Sequence, residues 1–206
     1  MKHALRRFRW LTPFVLIALL VGGGGRAEAQ YQRGSIQGDY AFSVHFTCVD
    51  TTAGFSLPNF QVNPFPSSGF TRKVGISGRG TLSFNRDGTA TQTSFSTLVD
   101  LRDRSFPVSE GESMCDYTYA VDPGGTATVQ GTCNGTTVAG GGVGNTVTTA
   151  GIVFKMLIVQ GGNVLLNSPG HPPVVRTVTL TPLGGGAPTI FQRVCASSGV
   201  AHRIQR

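Results

Sequence analysis

The chain has 206 residues, of which 29 are glycine, and it carries 17 basic and 10 acidic side chains for a net charge of +7. A chain of this length suits one domain with a substantial core. Its basic residues are concentrated near the amino terminus and form no later cluster, so the charge does not indicate a nucleic-acid-binding protein.

Residues 1–29 are predicted to be a signal peptide. "MKHALRRFRW" gives a basic start, "LTPFVLIALLV" a short apolar run and "AEA" a small-residue cleavage site, so Gln30 would begin the mature chain. The apolar run is shorter than the roughly 20 residues that a spanning helix needs. Five of the 17 basic residues and one of the 10 acidic ones lie in this segment, which lowers the net charge of residues 30–206 to +3. The sequence therefore predicts a periplasmic or extracellular protein with no membrane span after the signal is removed.

The first predicted strand is "GDYAFSVHFTC", in which Tyr40, Phe42 and Val44 alternate with small or polar residues. Alternation of this kind is typical of a strand with one buried face. A long loop follows, at about residues 50–74, and it contains "GFSLPNFQVNPFPSSGF". Its prolines disfavour both helix and central strand, yet it carries four phenylalanines. Three hypotheses remain open for the loop: a plug that completes the core, a lid over a cavity, and an exposed patch for a partner.

The rest of the chain alternates in the same way between turns. "GTLSFNRDGTATQTSF" and "CDYTYAVDPGGTATVQGTC" each predict strand, turn and strand, and "IVFKMLIVQGGNVLLN", "VVRTVTLTP" and "TIFQRVCA" add further strands. No segment shows a helical stripe. These patterns predict an all-β fold of one domain over residues 30–206, an antiparallel up-and-down barrel of about eight strands, with a β-sandwich as the alternative. An outer-membrane barrel is disfavoured because strands such as "TATQTSF" lack an apolar lipid-facing row and because "HRIQR" is not an aromatic-rich final strand.

The four cysteines are predicted to form two disulfides. If Pro123–Gly125 is the turn of its hairpin, Cys115 and Cys133 lie directly opposite each other. Cys48 and Cys195 then remain, in the first and last strands, which are neighbours in a closed barrel. A metal site is disfavoured because the sequence has no C-x-x-C spacing and no histidine near a cysteine.

Three stretches follow a family pattern over most of the mature chain. "GDYAFSV", "GRGTLSFNRDGTATQT" and "CDYTYAVDPGGTATV" match the rhythm G-x-Y-x-F, G-x-G-x-L-x-F-x-x-D-G-T and Y-x-V-x-x-x-G-T-A-T. This pattern resembles a broad group of uncharacterised exported bacterial proteins with small lipocalin-like or allene-oxide-cyclase-like β-barrels. The resemblance implies a barrel and export. It carries over no catalytic residue, and the cysteines are not part of it.

No catalytic motif stands out. The glycine-rich stretch at residues 139–147 lacks the Lys-Ser/Thr of a phosphate loop, and the histidines of the mature chain do not cluster. The sequence therefore predicts no catalytic residue, no metal and no cofactor, and it favours a protein that is not an enzyme. The leading hypothesis is an exported barrel that binds a small apolar or amphipathic ligand. A structural or envelope protein-interaction module is the alternative, and a cyclase- or isomerase-like enzyme comes third. The candidate ligand-binding residues are Phe55, Phe60, Phe65, Phe70, Tyr117 and Tyr119.

Overall fold

The computed structural model describes residues 31–64, 69–101, 108–167 and 174–204. The predicted signal peptide and Phe65 lie outside these ranges. In chain order the strands are β1 (Gly38–Thr51), β2 (Phe55–Ser56), β3 (Gln61–Val62), β4 (Thr71–Phe84), β5 (Thr89–Asp100), β6 (Ser109–Val121), β7 (Thr126–Gly140), β8 (Thr146–Val159), β9 (Val164–Asn167), β10 (Arg176–Thr181) and β11 (Thr189–Arg203). Two short 3-10 helices span Arg33–Ile36 and Gln160–Gly162.

The described residues form a closed antiparallel barrel, as the sequence predicts. Neighbouring strands follow the order β1, β4, β5, β6, β7, β8, β10 and β11, and β11 pairs again with β1. The short strand β9 also lies between β8 and β11, so β9 and β10 share one of the eight positions of the barrel. The separate β2–β3 hairpin belongs to the connection between β1 and β4. Every barrel strand except this shared position runs for 12 residues or more.

Alternation decides which side chains face inward. On β1 the inward row begins with Tyr40 and continues through every second residue, and the register places Tyr40 opposite Leu82 of β4.

Glycines occupy points at which adjacent strands approach closely. A Cβ at Gly80 would overlap the carbonyl oxygen of Thr93, and one at Gly131 would overlap that of Asp116. These positions require glycine because no larger residue leaves room for the neighbouring backbone.

A β-bulge in β8 keeps its apolar residues inside. The register between β7 and β8 shifts so that Gly131 pairs with Ile152 whereas Cys133 pairs with Thr149. Gly151 takes up the extra length with a φ of 72°, a conformation that favours glycine. As a result, both Thr149 and Ile152 face the interior.

One end of the barrel is filled, and we call it the capped end. Residues 31–37 fold across it and bury Ile36 completely. The Tyr40 ring meets Phe84 edge-on at 5.7 Å, and Phe84 meets Tyr119 at 4.9 Å. The Tyr40 hydroxyl donates to the carbonyl oxygen of Gly162 at 2.5 Å and accepts from Arg203 Nη2 at 2.8 Å. Aromatic packing and satisfied polar groups therefore close this end.

The opposite end carries the longer connections, and we call it the loop end. Its described residues include 52–64, 69–70, 141–145 and 182–188. The sequence predicts a loop at about residues 50–74. β4 begins at Thr71, so the Phe/Pro-rich connection spans residues 52–70, and it contains the β2–β3 hairpin. Most described residues of its tip are exposed, and Leu57 is 69% exposed.

Two disulfides join adjacent strands. Cys48 pairs with Cys195 across the β1–β11 closure, and Cys115 pairs with Cys133 across the β6–β7 hairpin. In both, the two Cα atoms lie 4.0 Å apart and the residues are direct partners in the register. These are the two pairs that the hairpin and closure arguments predict.

Candidate functional site

The barrel encloses a cavity of about 370 Å³ between the capped end and the loop end. Most of its wall is apolar, and the aromatic and aliphatic residues that face it include Phe42, Val44, Phe46, Ile76, Leu98 and Phe154. The lining reaches Gly141 and Asn145 at the loop end, whereas the capped-end residues Ile36, Tyr40 and Tyr119 are not part of it. The cavity therefore extends toward the loop end.

Small inward residues on one side of the barrel create this space. In one layer, Gly80 pairs with Ser94, Ser94 with Ser113, and Ser113 with Gly135, so four adjacent strands contribute no large side chain. The next layer repeats the arrangement: Gly78 pairs with Ser96, which pairs with Gly111. Eight-stranded barrels are normally just wide enough for side chains to fill. Here the small residues leave the interior open opposite the phenylalanines of β1.

A buried carboxylate fixes the loop end of the cavity. Asp50 is completely buried, and the register places it beside Arg72 of β4 and Arg193 of β11. Arg193 donates from Nε to Oδ1 at 2.6 Å and from Nη2 to Oδ2 at 2.8 Å, and Arg72 Nε donates to Oδ2 at 3.2 Å. Both guanidinium groups also lie over the Phe191 ring, at 5.7 and 5.6 Å from its centroid. The cluster joins β4, β1 and β11 through the buried carboxylate, and because two guanidinium groups share one carboxylate it retains a net positive charge.

Arg176 lies inside the cavity without such a partner. It is opposite Arg193 in the register, and its guanidinium carbon lies 5.8 Å from the centre of the Phe46 ring. Its Nε is buried and has no hydrogen-bond partner among the residues that the structure describes. Burial lowers the pKa of Arg176 from its ordinary value, and the nearby Arg193 adds to that effect. The site thus presents a poorly compensated cation in apolar surroundings.

Tyr117 is the polar group on β6 that faces the same space. Its ring meets Phe154 edge-on at 5.6 Å, and its hydroxyl lies 3.3 Å from Gln92 Oε1 and 3.2 Å from Cys133 Sγ. Burial raises the pKa of Tyr117 above its ordinary value, against the opposing influence of Arg176. Tyr117 is therefore a neutral hydrogen-bond donor over the whole physiological range.

The six predicted ligand-binding residues occupy different parts of the molecule. Tyr117 lines the cavity. Tyr119 belongs to the capped end, where its hydroxyl donates to the backbone carbonyl oxygen of Asn85 at 2.5 Å. Phe70 meets Phe191, a lining residue, with ring centres 5.5 Å apart. Phe55 and Phe60 are half-buried in the β1–β4 connection and are absent from the cavity lining. Phe65 lies outside the described residues.

Tyrosine ionisation gives a direct test of this burial. Burial raises the pKa of Tyr40, Tyr117 and Tyr119 above the ordinary value of 10.0. Because the folded-state pKa exceeds the unfolded one, the stability that these groups confer is complete below pH 10 and is lost as the pH rises above it. We expect phenolate absorbance of the folded protein to rise at higher pH than that of the protein in denaturant. Coincident titration curves would contradict the burial of these hydroxyls.

Comparisons with known proteins give a weak structural likeness. No protein-family model matches the chain, and no curated protein matches it. Among solved structures, the crystal structure of Neisserial surface protein A matches with a TM-score of 0.46 and 10% sequence identity, covering 82% of this chain and 100% of that one. A likeness this low carries no argument about function. The lipocalin-like or allene-oxide-cyclase-like resemblance stays a hypothesis.

Proposed function

We propose that this protein is an exported, non-enzymatic barrel that binds a small, largely apolar molecule in its interior. The observation that carries the proposal is the cavity of about 370 Å³, apolar over most of its wall and supplied with a few inward polar groups. Its volume falls within the roughly 300–1,000 Å³ that is usual for small-molecule sites. Two inward layers of glycine and serine leave this space open.

The outer face of the barrel supports a water-exposed location. The outward positions of β5 include the exposed Thr91 and Thr93, and those of β6 include Glu112 and Asp116. A barrel surrounded by lipid needs an apolar outer band instead. The two disulfides favour an oxidising compartment. Together with the predicted signal peptide, these features support a periplasmic or extracellular protein.

The loop end is the proposed entrance, with the Phe/Pro-rich connection as a lid. The capped end already supplies the aromatic closure that a plug would provide, at the opposite end of the barrel. At the loop end, Phe70 covers Phe191 on the cavity wall. The same end exposes apolar side chains, among them Leu183 at 75% and Ile190 at 62%. An apolar entrance suits an apolar ligand.

Filling the cavity tests the proposal. Residues 30–206 contain no tryptophan, because Trp10 lies in the predicted signal peptide, so an added dye has to report binding. Phenylnaphthylamine, a neutral dye that fluoresces in apolar surroundings, is expected to bind the mature protein. Ser96→Phe places a ring in the cavity and is expected to weaken dye binding about tenfold or more, which is about 1.4 kcal/mol. The matched control, Thr91→Phe, adds the same ring on the outer face of the same strand and is expected to bind as the wild type does.

Two results would contradict ligand binding. One is a folded wild-type protein, with both disulfides formed, that neither binds the dye nor releases a co-purified small molecule in native mass spectrometry. The other is equal dye affinity in the wild type and the Ser96→Phe variant. Either would favour the second candidate, an envelope protein-interaction module, which the exposed apolar side chains at the loop end support.

A further inference from the structure

We infer that the ligand is an amphipathic anion, with its acidic group at Arg176 and its apolar body in the cavity; this rests on the proposed function. The inference begins with the charges at the loop end. Three arginines line the cavity, Arg72, Arg176 and Arg193, and the buried Asp50 binds the first and the last. Within the part of the chain that the structure describes, no carboxylate forms a salt bridge with Arg176.

Two other carboxylates, Glu110 and Glu112, also belong to the cavity lining, at its loop end. Glu110 and Glu112 occupy outward positions of β6, and Glu112 is exposed. Two strands, β7 and β8, separate them from β10, which carries Arg176. A cation in a largely apolar cavity is unfavourable unless an anion supplies both charge and acceptor atoms. The ligand is the component that would supply them.

The immediate surroundings of Arg176 define how such an anion would be held. The buried Nε is an unused donor, and a carboxylate or sulfonate accepts well from a guanidinium group. Tyr117 lines the same cavity and carries a hydroxyl that lies 3.3 Å from Gln92 Oε1 and 3.2 Å from Cys133 Sγ. It can donate a second hydrogen bond to the same anion. Phe46, under the guanidinium group, begins the apolar part of the site.

A pair of dyes with the same apolar body separates charge from shape. Phenylnaphthylamine is neutral, and anilinonaphthalene sulfonate adds an anionic group to the same ring system. We expect the wild type to bind the anion about tenfold to a hundredfold more tightly, the range of a charge-assisted hydrogen bond. Dodecanoate is expected to displace the anionic dye at lower concentration than dodecanol does.

Variants at Arg176 locate the preference. Arg176→Gln is expected to remove most of the difference between the two dyes. Arg176→Met, which keeps an unbranched apolar stem without the charge, serves if the glutamine variant does not fold. The matched control is Arg79→Gln. Arg79 stacks on Phe95 at 5.9 Å on the outer face, the same kind of contact as that between Arg176 and Phe46. This control is expected to keep the wild-type preference.

The outcomes distinguish the inference from the proposal beneath it. Equal binding of the two dyes by the wild type, or an anion preference that survives both Arg176 variants, would overturn the inference and leave the proposed function standing. Binding of neither dye by the folded, oxidised protein would overturn both.

Discussion

Replacing Cys48 and Cys195 with alanine is expected to lower the free energy of unfolding by about 5 kcal/mol. The bond closes a loop of 147 residues, and in the chain-entropy model a cross-link over so long a loop removes the most freedom from the unfolded chain. The bond also joins β1 to β11, so its loss releases the two strands that close the barrel. Urea denaturation followed by far-ultraviolet circular dichroism measures the change.

The second disulfide is the matched control for this effect. Cys115 and Cys133 are likewise direct cross-strand partners, but they are separated by only 18 residues. Replacing both with alanine is therefore expected to cost about 3 kcal/mol by the same argument. A larger loss for the hairpin pair than for the closure pair would contradict the account based on loop length.

Asp50→Asn is expected to lower the free energy of unfolding by about 3–5 kcal/mol, the usual cost of removing one partner from a buried ion pair. The change would leave Arg72 and Arg193 side by side without their shared carboxylate, next to the already uncompensated Arg176. Thermal and urea unfolding both measure this loss. Asp116→Asn, an exposed acid on β6, is the control and is expected to change stability by less than about 0.5 kcal/mol.

A double variant tests whether charge is the cause. Arg193→Met in the Asp50→Asn background removes one of the two cations that the first change leaves unpaired, so part of the lost stability is expected to return. Strict additivity of the two single losses would show that the side chains are not coupled and would contradict this explanation.

The fold was predictable because patterns of neighbouring residues determine most strands and turns of the barrel. Period-two alternation and short turns give the strands, and the turn at residues 123–125 sets the register that pairs Cys115 with Cys133. Closure followed from the position of Cys48 and Cys195 in the first and last strands. The division of one barrel position between β9 and β10 was not predictable, because it depends on where two short strands dock rather than on their own residues.

The site was harder to predict because its main feature is an empty space, which arises where inward-facing side chains are small. The phenylalanines of the β1–β4 connection suggested a plug, a lid or a patch for a partner, whereas the cavity depends on Ser94, Ser113 and their glycine partners. Glycine and serine in alternate positions are also typical of turns, so only the register reveals that they form layers. The inward position of Arg176 does have a signal in the sequence. In "VVRTVTLTP" it alternates in step with Val178 and Leu180, so it belongs to the same face of the strand as these two apolar residues. All three line the cavity.

The pairing of β1 with β11 has a consequence for how the chain acquires its structure. Hairpins such as β6–β7 need only neighbouring residues, so they and the Cys115–Cys133 bond can form early. β1 can complete its pairing only when β11 is in place, and the two strands are almost 150 residues apart in the chain. Until then the unpaired edges of β1 and β11 are open to pairing with other chains. Folding is therefore expected to be slow, with barrel closure last and the thiol of Cys48 the longest exposed to incorrect pairing.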